Sequence, residues 1–526
     1  MSAQTTSIAL YRMEGLGVQA PFITHLARRS RPWTIGYGPW TPTMDFSFFT
    51  ATFTYPNPMR KLFFLIAVLC YSQLQLQAQG YQLTIKFKQY TSGRMFLAHY
   101  MGKGTYLADS AMIDATGTAV LKGKEALPGG IYMVVFPGKQ RYFEMLLDKN
   151  QTFSISVDST DLIGKTVYKT SPENDLFLGY NRFLATLQPK TMAIQGLLAK
   201  RTAQDTLQAR PLQTALNKEI QDYRINFINK HPESLLTSIF KAMREPEVPA
   251  KPANEDSTFA YRYFRGHYWD EVNLNDGRLV RTPILEGKLS KYFNQVVPME
   301  PDSAIIECDR LIAKARKDKE MFKYVLWWLT YNYETSPYMG MDAVFVHLVE
   351  KYYVPGEAYW LTSDQLNKLI GRAYAIAPNL IGQQAPPLEM QDSTAKPLSL
   401  YSTKAKYTVL VFWDPTCGHC KTEIPRLDSA FKASWQNKGV VMVGIKTDGT
   451  REEWLQFIKA HQLSGWVHAW DPQAQSNYRR LYDVYSTPVV YLLDEKKKIL
   501  AKRLGVEQLN GFLERLEKEP EGTVKK

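Results

Sequence analysis

The feature that most constrains this chain is the string Val411-Phe412-Trp413-Asp414-Pro415-Thr416-Cys417-Gly418-His419-Cys420. The run Tyr407–Trp413 leading into it is nearly all apolar and reads as a central strand with both faces covered. His419–Trp435 behind it reads as a helix. A Cys-x-x-Cys that leaves a buried strand and opens a helix puts both sulfurs on one turn, within reach of a disulfide bond. The helix N-terminus carries partial positive charge and unpaired N–H groups, which favour a thiolate at Cys417. The imidazole of His419 adds to that when protonated. Two other uses of the pair compete. A zinc site needs two further ligands, and no second Cys-x-x-Cys or His pair accompanies this one. A structural disulfide needs no strand-to-helix placement. The placement favours redox chemistry, with no metal and no cofactor.

Around the dithiol, strands and helices alternate. Val440–Ile445 and Val489–Leu493 read as strands, Glu452–His461 and Gln508–Glu517 as helices, and Ala385-Pro386-Pro387 marks the boundary before them. Ser486-Thr487-Pro488 precedes the strand Val489–Leu493. Proline is tolerated at a strand start and leaves a backbone edge free for an incoming strand.

On these residues, Ile381 to Leu516 resembles the thioredoxin superfamily, and within it the envelope thiol–disulfide oxidoreductases called TlpA-like or ResA-like. The resemblance rests on Phe412-Trp413, Cys417-Gly418-His419-Cys420, Glu423-Ile424-Pro425 and Thr487-Pro488. It implies that Cys417 attacks a substrate disulfide and Cys420 resolves the mixed disulfide. It also implies that Trp413 shields the site, that Thr487 and Pro488 position the substrate backbone, and that Glu423 moves protons. The implied partners are protein disulfides and dithiols and a membrane-bound thiol–disulfide electron donor. Three departures stand out. Val411 occupies the place of the buried Asp of many thioredoxins, which shifts proton handling toward Glu423. Thr416 replaces a tryptophan. Gly418-His419 is similar to the pair of protein disulfide isomerases, which leaves an oxidase or isomerase as the alternative to a reductase. The Pro-x-x-x-Thr-x-x-Cys spacing of a peroxidatic cysteine is absent.

Upstream, alternation sets the expectations. Leu83, Ile85 and Phe87, and again Phe153, Ile155 and Val157, alternate with polar residues in the manner of half-buried antiparallel strands. Turn residues at 114–117, 128–130, 137–138 and 148–150 separate such strands. We therefore expect a β-rich module, sandwich or open barrel, over 79–172. From 173 to 380 the period becomes helical: Leu212, Leu216, Ile220, Tyr223 and Phe227 share one helix face. Further helices are expected at Ser234–Met243, Ser303–Ala315, Lys319–Tyr333 and Ala343–Tyr352. Trp327, Trp328, Tyr331 and Tyr333 read as packing rather than a ligand platform, and Cys308 as a buried thiol. His267, His347 and Cys308 have no metal-ligand spacing. The whole is a multidomain chain: a β module, a helical domain over 173–380, an α/β thioredoxin-like domain over 381–518 and a flexible tail at 519–526. The first two are similar to accessory regions that precede such domains in envelope proteins. Their bulk leaves room for a second reading, a binding or scaffold protein in which residues 81–380 carry the main role.

Met59-Arg60-Lys61, the apolar run Leu62–Tyr71 and Leu76-Gln77-Ala78 have the order of a secretory signal over 59–78, with 1–58 an upstream extension from a misplaced start. The run is too short to span a membrane. These features place the protein in the periplasm or envelope. Leu69 is bulkier than the residue before a lipid-anchor cysteine, which argues against an anchor at Cys70. The net charge of +13 comes from basic residues scattered among acidic ones, so nucleic acid is not an expected partner.

Overall fold

The structure, a computed structural model, describes residues 80–518. The upstream extension, the signal with Cys70 and the C-terminal tail lie outside the described residues. The described chain falls into two compact units: residues up to Glu245 together with Arg278–Gly287, and Pro246–Gly277 together with the chain from Lys288 onward.

In the first unit, eight strands make two four-stranded sheets. One has the order β4-β1-β7-β8, from β1 (Tyr81–Phe87), β4 (Thr118–Gly123), β7 (Thr152–Val157) and β8 (Val167–Lys169). The other, β3-β2-β5-β6, comes from β2 (Arg94–Met101), β3 (Gly104–Met112), β5 (Gly130–Val135) and β6 (Tyr142–Leu147). Leu83, Ile85 and Phe87, beside Phe153 and Ile155 of the same sheet, share one core with Met95, Leu97, Val134 and Met145 of the other, so the module is a sandwich. The alternation was legible; the partner was not. β1 and β7 run parallel, Leu83 opposite Phe153, because the sixty-odd residues between them supply the other sheet.

Four helices follow: α1 (Pro172–Thr186), α2 (Gln188–Ala199), α3 (Ala203–Lys230) and α4 (Leu235–Met243). Leu178 of α1 enters the sandwich core, and buried Asn174 exchanges 2.8 Å hydrogen bonds with both main-chain groups of Leu146 on β6. These bonds satisfy the edge of β6 and fasten the helices to the β module. Arg278 returns to the same unit and pairs with Asp148 at 2.9 Å. The helical stretch 173–380 is shared between the two compact units: its first part packs with the β module, and the chain leaves through 246–258, where Pro246, Pro249 and Pro252 precede any helix.

The second unit contains α5 (Phe259–His267), α6 (Pro301–Ala315), α7 (Lys319–Glu334), α8 (Asp342–Leu348) and α9 (Ser363–Ile376). Trp328 and Tyr333 are buried as expected. Trp327 and Tyr331, one turn apart on the other face of α7, instead stack in the open with ring centres 6.0 Å apart. Cys308 is fully buried, and burial pushes its thiol well up.

After α9 comes a seven-stranded sheet ordered β10-β9-β13-β12-β11-β14-β15. Its strands are β9 (Glu389–Asp392), β10 (Pro397–Ser399), β11 (Tyr407–Trp413), β12 (Val440–Lys446), β13 (Val467–Trp470), β14 (Val489–Leu493) and β15 (Ile499–Lys502). β11, β12 and β13 are parallel; β14 and β15 are antiparallel additions. Every residue of β11 is buried, Val409, Val411 and Trp413 against one core and Leu410 and Phe412 against another. Two cores on one strand require helices on both faces, supplied by α10 (Gly418–Ala430), α11 (Arg451–Ala460), α12 (Tyr478–Leu481) and α13 (Val506–Lys518).

Candidate active site

The site forms where β11 ends. Trp413 is the last strand residue, Cys417 caps α10, and three residues make the turn between them. Asp414 organises that turn. Its Oδ1 accepts from the Thr416 N–H at 2.7 Å and the Thr416 hydroxyl at 2.8 Å, an Asx turn. Its carbonyl accepts from the Cys417 N–H at 3.2 Å, and its own N–H donates to Cys420 Sγ at 3.4 Å. One residue thus holds both cysteines. The sequence reading passed over it, although Asp-Pro-Thr is a turn signal in its own right.

Cys417, Cys420 and Cys308 are free thiols, and only Cys417 among them is partly exposed. The N–H groups of the first turn of α10 point at Cys417. The Cys420 N–H, the Thr487 side chain and the His419 N–H together hold its thiol below the ordinary value, the first of these most strongly. Cys420 is fully buried, and burial pushes its thiol up to about 11. The pair is therefore split into a ready nucleophile and a held-back thiol. Cys417 Sγ also lies 3.6 Å from the Thr487 carbonyl oxygen, which brings the loop before β14 against the dithiol. The Thr487–Pro488 bond is cis.

The remaining expected residues are distributed less evenly. The His419 side chain is exposed. Glu423, one turn beyond Cys420, forms an ion pair with Arg426, which also binds Glu507. Trp413 lies in the core against which Cys417 packs. It is fully buried beneath the turn, against Phe457 with ring centres 5.0 Å apart, because a residue on a doubly covered strand has no route to solvent. Val411 is buried opposite Gly444 on β12, so the interior beneath the dithiol is apolar where an Asp was the alternative. A cation not foreseen stands nearby. Lys446 ends β12 directly opposite Trp413, and burial lowers its pKa against the pull of Asp448, Asp414 and Glu453.

A sequence model described as the AhpC/TSA family matches residues 381–502, the segment that holds this site. Those residues form a thioredoxin-like domain of that family. The thioredoxin-like domain is similar to the thiol–disulfide oxidoreductase ResA of Oceanobacillus iheyensis, 26% identical over 140 residues, which are 25% of this chain and 71% of that protein. It is also similar to ResA of Bacillus subtilis, 25% identical, covering 23% of this chain and 64% of that protein. Among solved structures, a domain of a possible thiol-disulfide isomerase from Cytophaga hutchinsonii is 42% identical, covers 27% of this chain and 96% of its own, and has a TM-score of 0.26. These relatives are named thiol–disulfide oxidoreductases, the enzyme class that this domain joins. Upstream, two models of domains of unknown function match residues 81–177 and 213–370.

Proposed function

We propose that the protein exchanges disulfides in secreted or periplasmic proteins through Cys417 and Cys420, acting as a reductant recharged by a membrane-bound dithiol donor. The observation that carries the exchange chemistry is the split between the two thiols, one partly exposed and lowered, the other buried and raised to about 11, while the reducing direction follows from the resemblance to ResA-like reductases. The Cys417 thiolate attacks one sulfur of a substrate disulfide, forms a mixed disulfide and expels the other sulfur as a thiolate. Cys420 then loses its proton and attacks Cys417 Sγ. The Cys417–Cys420 disulfide forms and the second substrate thiolate leaves, so two electrons have passed to the substrate, whose two thiolates take up the Cys420 proton and one from solvent. The backbone edge at Thr487 and Pro488 receives the substrate strand. Glu423 takes the Cys420 proton if it breaks from Arg426. The order of residues 59–78 supports export, and protein sequencing of the secreted form should begin at Gln79.

Insulin-disulfide reduction driven by a chemical dithiol tests the chemistry. Cys417→Ser should abolish it, and an active Cys417→Ser protein would overturn the proposal. Cys420→Ala should accumulate mixed disulfides that name the partners. The lowered Cys417 thiol favours the reduced form, so an oxidase or isomerase is the second reading. A reduction potential of roughly −120 to −180 mV would decide for it.

A further inference from the structure

α8 and α9, which precede the thioredoxin-like domain, are tied to it by ion pairs. Leu380 to Ala385, which leads out of them, lies along the outer edge of the sheet. The Gly382 N–H donates to the Ile499 carbonyl at 2.8 Å, and the Ala385 N–H to the Lys497 carbonyl at 2.9 Å. Beside it, Asn379 donates to the Leu481 carbonyl at 3.0 Å and accepts from buried Lys502 at 2.9 Å, while Lys502 also pairs with Asp342 of α8. A third tie reaches furthest. Arg372 of α9 pairs with Asp483, a buried carboxylate that also accepts from Arg503 at 2.7 Å.

Asp483 opens the loop that meets the dithiol. Its φ of 51° lies in the left-handed region, which a non-glycine residue occupies at a cost unless its surroundings hold it there. The two arginines are that hold. From this pivot the chain runs through buried Val484 to Tyr485, 71% exposed, and on to Thr487, whose carbonyl lies against Cys417. The position of Thr487 is thus tied to a side chain of α9 that lies 111 positions before Asp483.

We propose that Arg372 is a positioning residue for the dithiol: through Asp483 it fixes the 483–488 loop, so that the helical segment before the thioredoxin-like domain is part of the substrate-binding apparatus rather than a separate accessory. The proposal rests on the reading of Thr487 and Pro488 as the substrate edge, but its primary test does not. Displacing the loop withdraws Thr487, whose carbonyl lies 3.6 Å from Cys417 Sγ and whose side chain is among the groups that hold that thiol low, and so moves Cys417 toward an ordinary thiol. In the full chain, Arg372→Gln should therefore shift the pH profile of Cys417 alkylation to higher pH, and raise KM for insulin several-fold with kcat little changed. Arg372→Lys keeps the charge and should restore much of both. Arg503 still partners Asp483 in these variants, and the Lys variant preserves the test if Gln disturbs folding. Alkylation profiles of Arg372→Gln and wild type that superimpose would overturn the proposal. A shifted profile in a protein that reduces no disulfide would leave the positioning role standing and overturn the proposed function instead.

Discussion

Two cysteines three positions apart on one helix end up as chemically different groups, and the cause is a matter of which atoms face them. Cys417 looks toward N–H donors, and Cys420 looks toward the packed side of the helix. Thiolate appears as pH rises through a thiol's pKa, so a lowered value means reactivity at lower pH. Iodoacetamide should modify Cys417 with a midpoint below that of a free cysteine titrated alongside it, and Cys420 should stay unmodified until the pH approaches about 11. A Cys417 midpoint at or above that of the free cysteine would contradict that assignment. The identity of the nucleophile was legible in the sequence because the strand-then-helix context fixes which cysteine caps the helix. The supporting residues were not. Asp414 acts through turn hydrogen bonds, Lys446 through a cross-strand neighbour 33 positions away, and Arg372 through a contact spanning 111 positions. The depth of Trp413 was not legible for the same reason: its spacing from the dithiol was visible, but its burial depends on Phe457 and the other side chains packed around it.

Strands and helices were read best where one pattern dominates. β11, α7 and α10 fall where periodicity placed them, since seven apolar residues in a row or a long amphipathic stretch leave few alternatives. Pairing is another matter, because period two says which residues share a face and nothing about the neighbouring strand. The parallel partnership of β1 with β7 illustrates this. The two-sided burial of β11 also makes it the element most sensitive to truncation. Leu410, fully buried in the core behind the dithiol face, should cost about 2–5 kcal/mol on Leu410→Ala. Urea unfolding read at the thioredoxin-like domain would measure the loss, and a change below ~1 kcal/mol would show that the core collapses around the gap.

At the scale of the molecule, the helical region divides because its helices have different hosts. α1 completes the sandwich, whereas α9 fastens to the loop at Asp483, and composition does not distinguish a helix by its host. The exposed, proline-punctuated stretch 246–258 between them should be the first site of limited proteolysis. Nicking there should give fragments that co-elute on gel filtration, because Arg278–Gly287 follows the cut yet packs with the first unit through Asp148. Arg278→Ala should loosen that association; fragments that separate freely in the unmutated protein would refute it.

The interleaving at 246–287 has a consequence for how such a chain can be recombined. Because one unit borrows ten residues from within the other's stretch, no single breakpoint in the coding sequence releases both intact. A crossover upstream of residue 246 leaves the β-rich unit without its Arg278 clasp, and one at residue 288 strips α5 from the unit that carries the dithiol. Inheritance of the two as a block follows from the path of the chain alone.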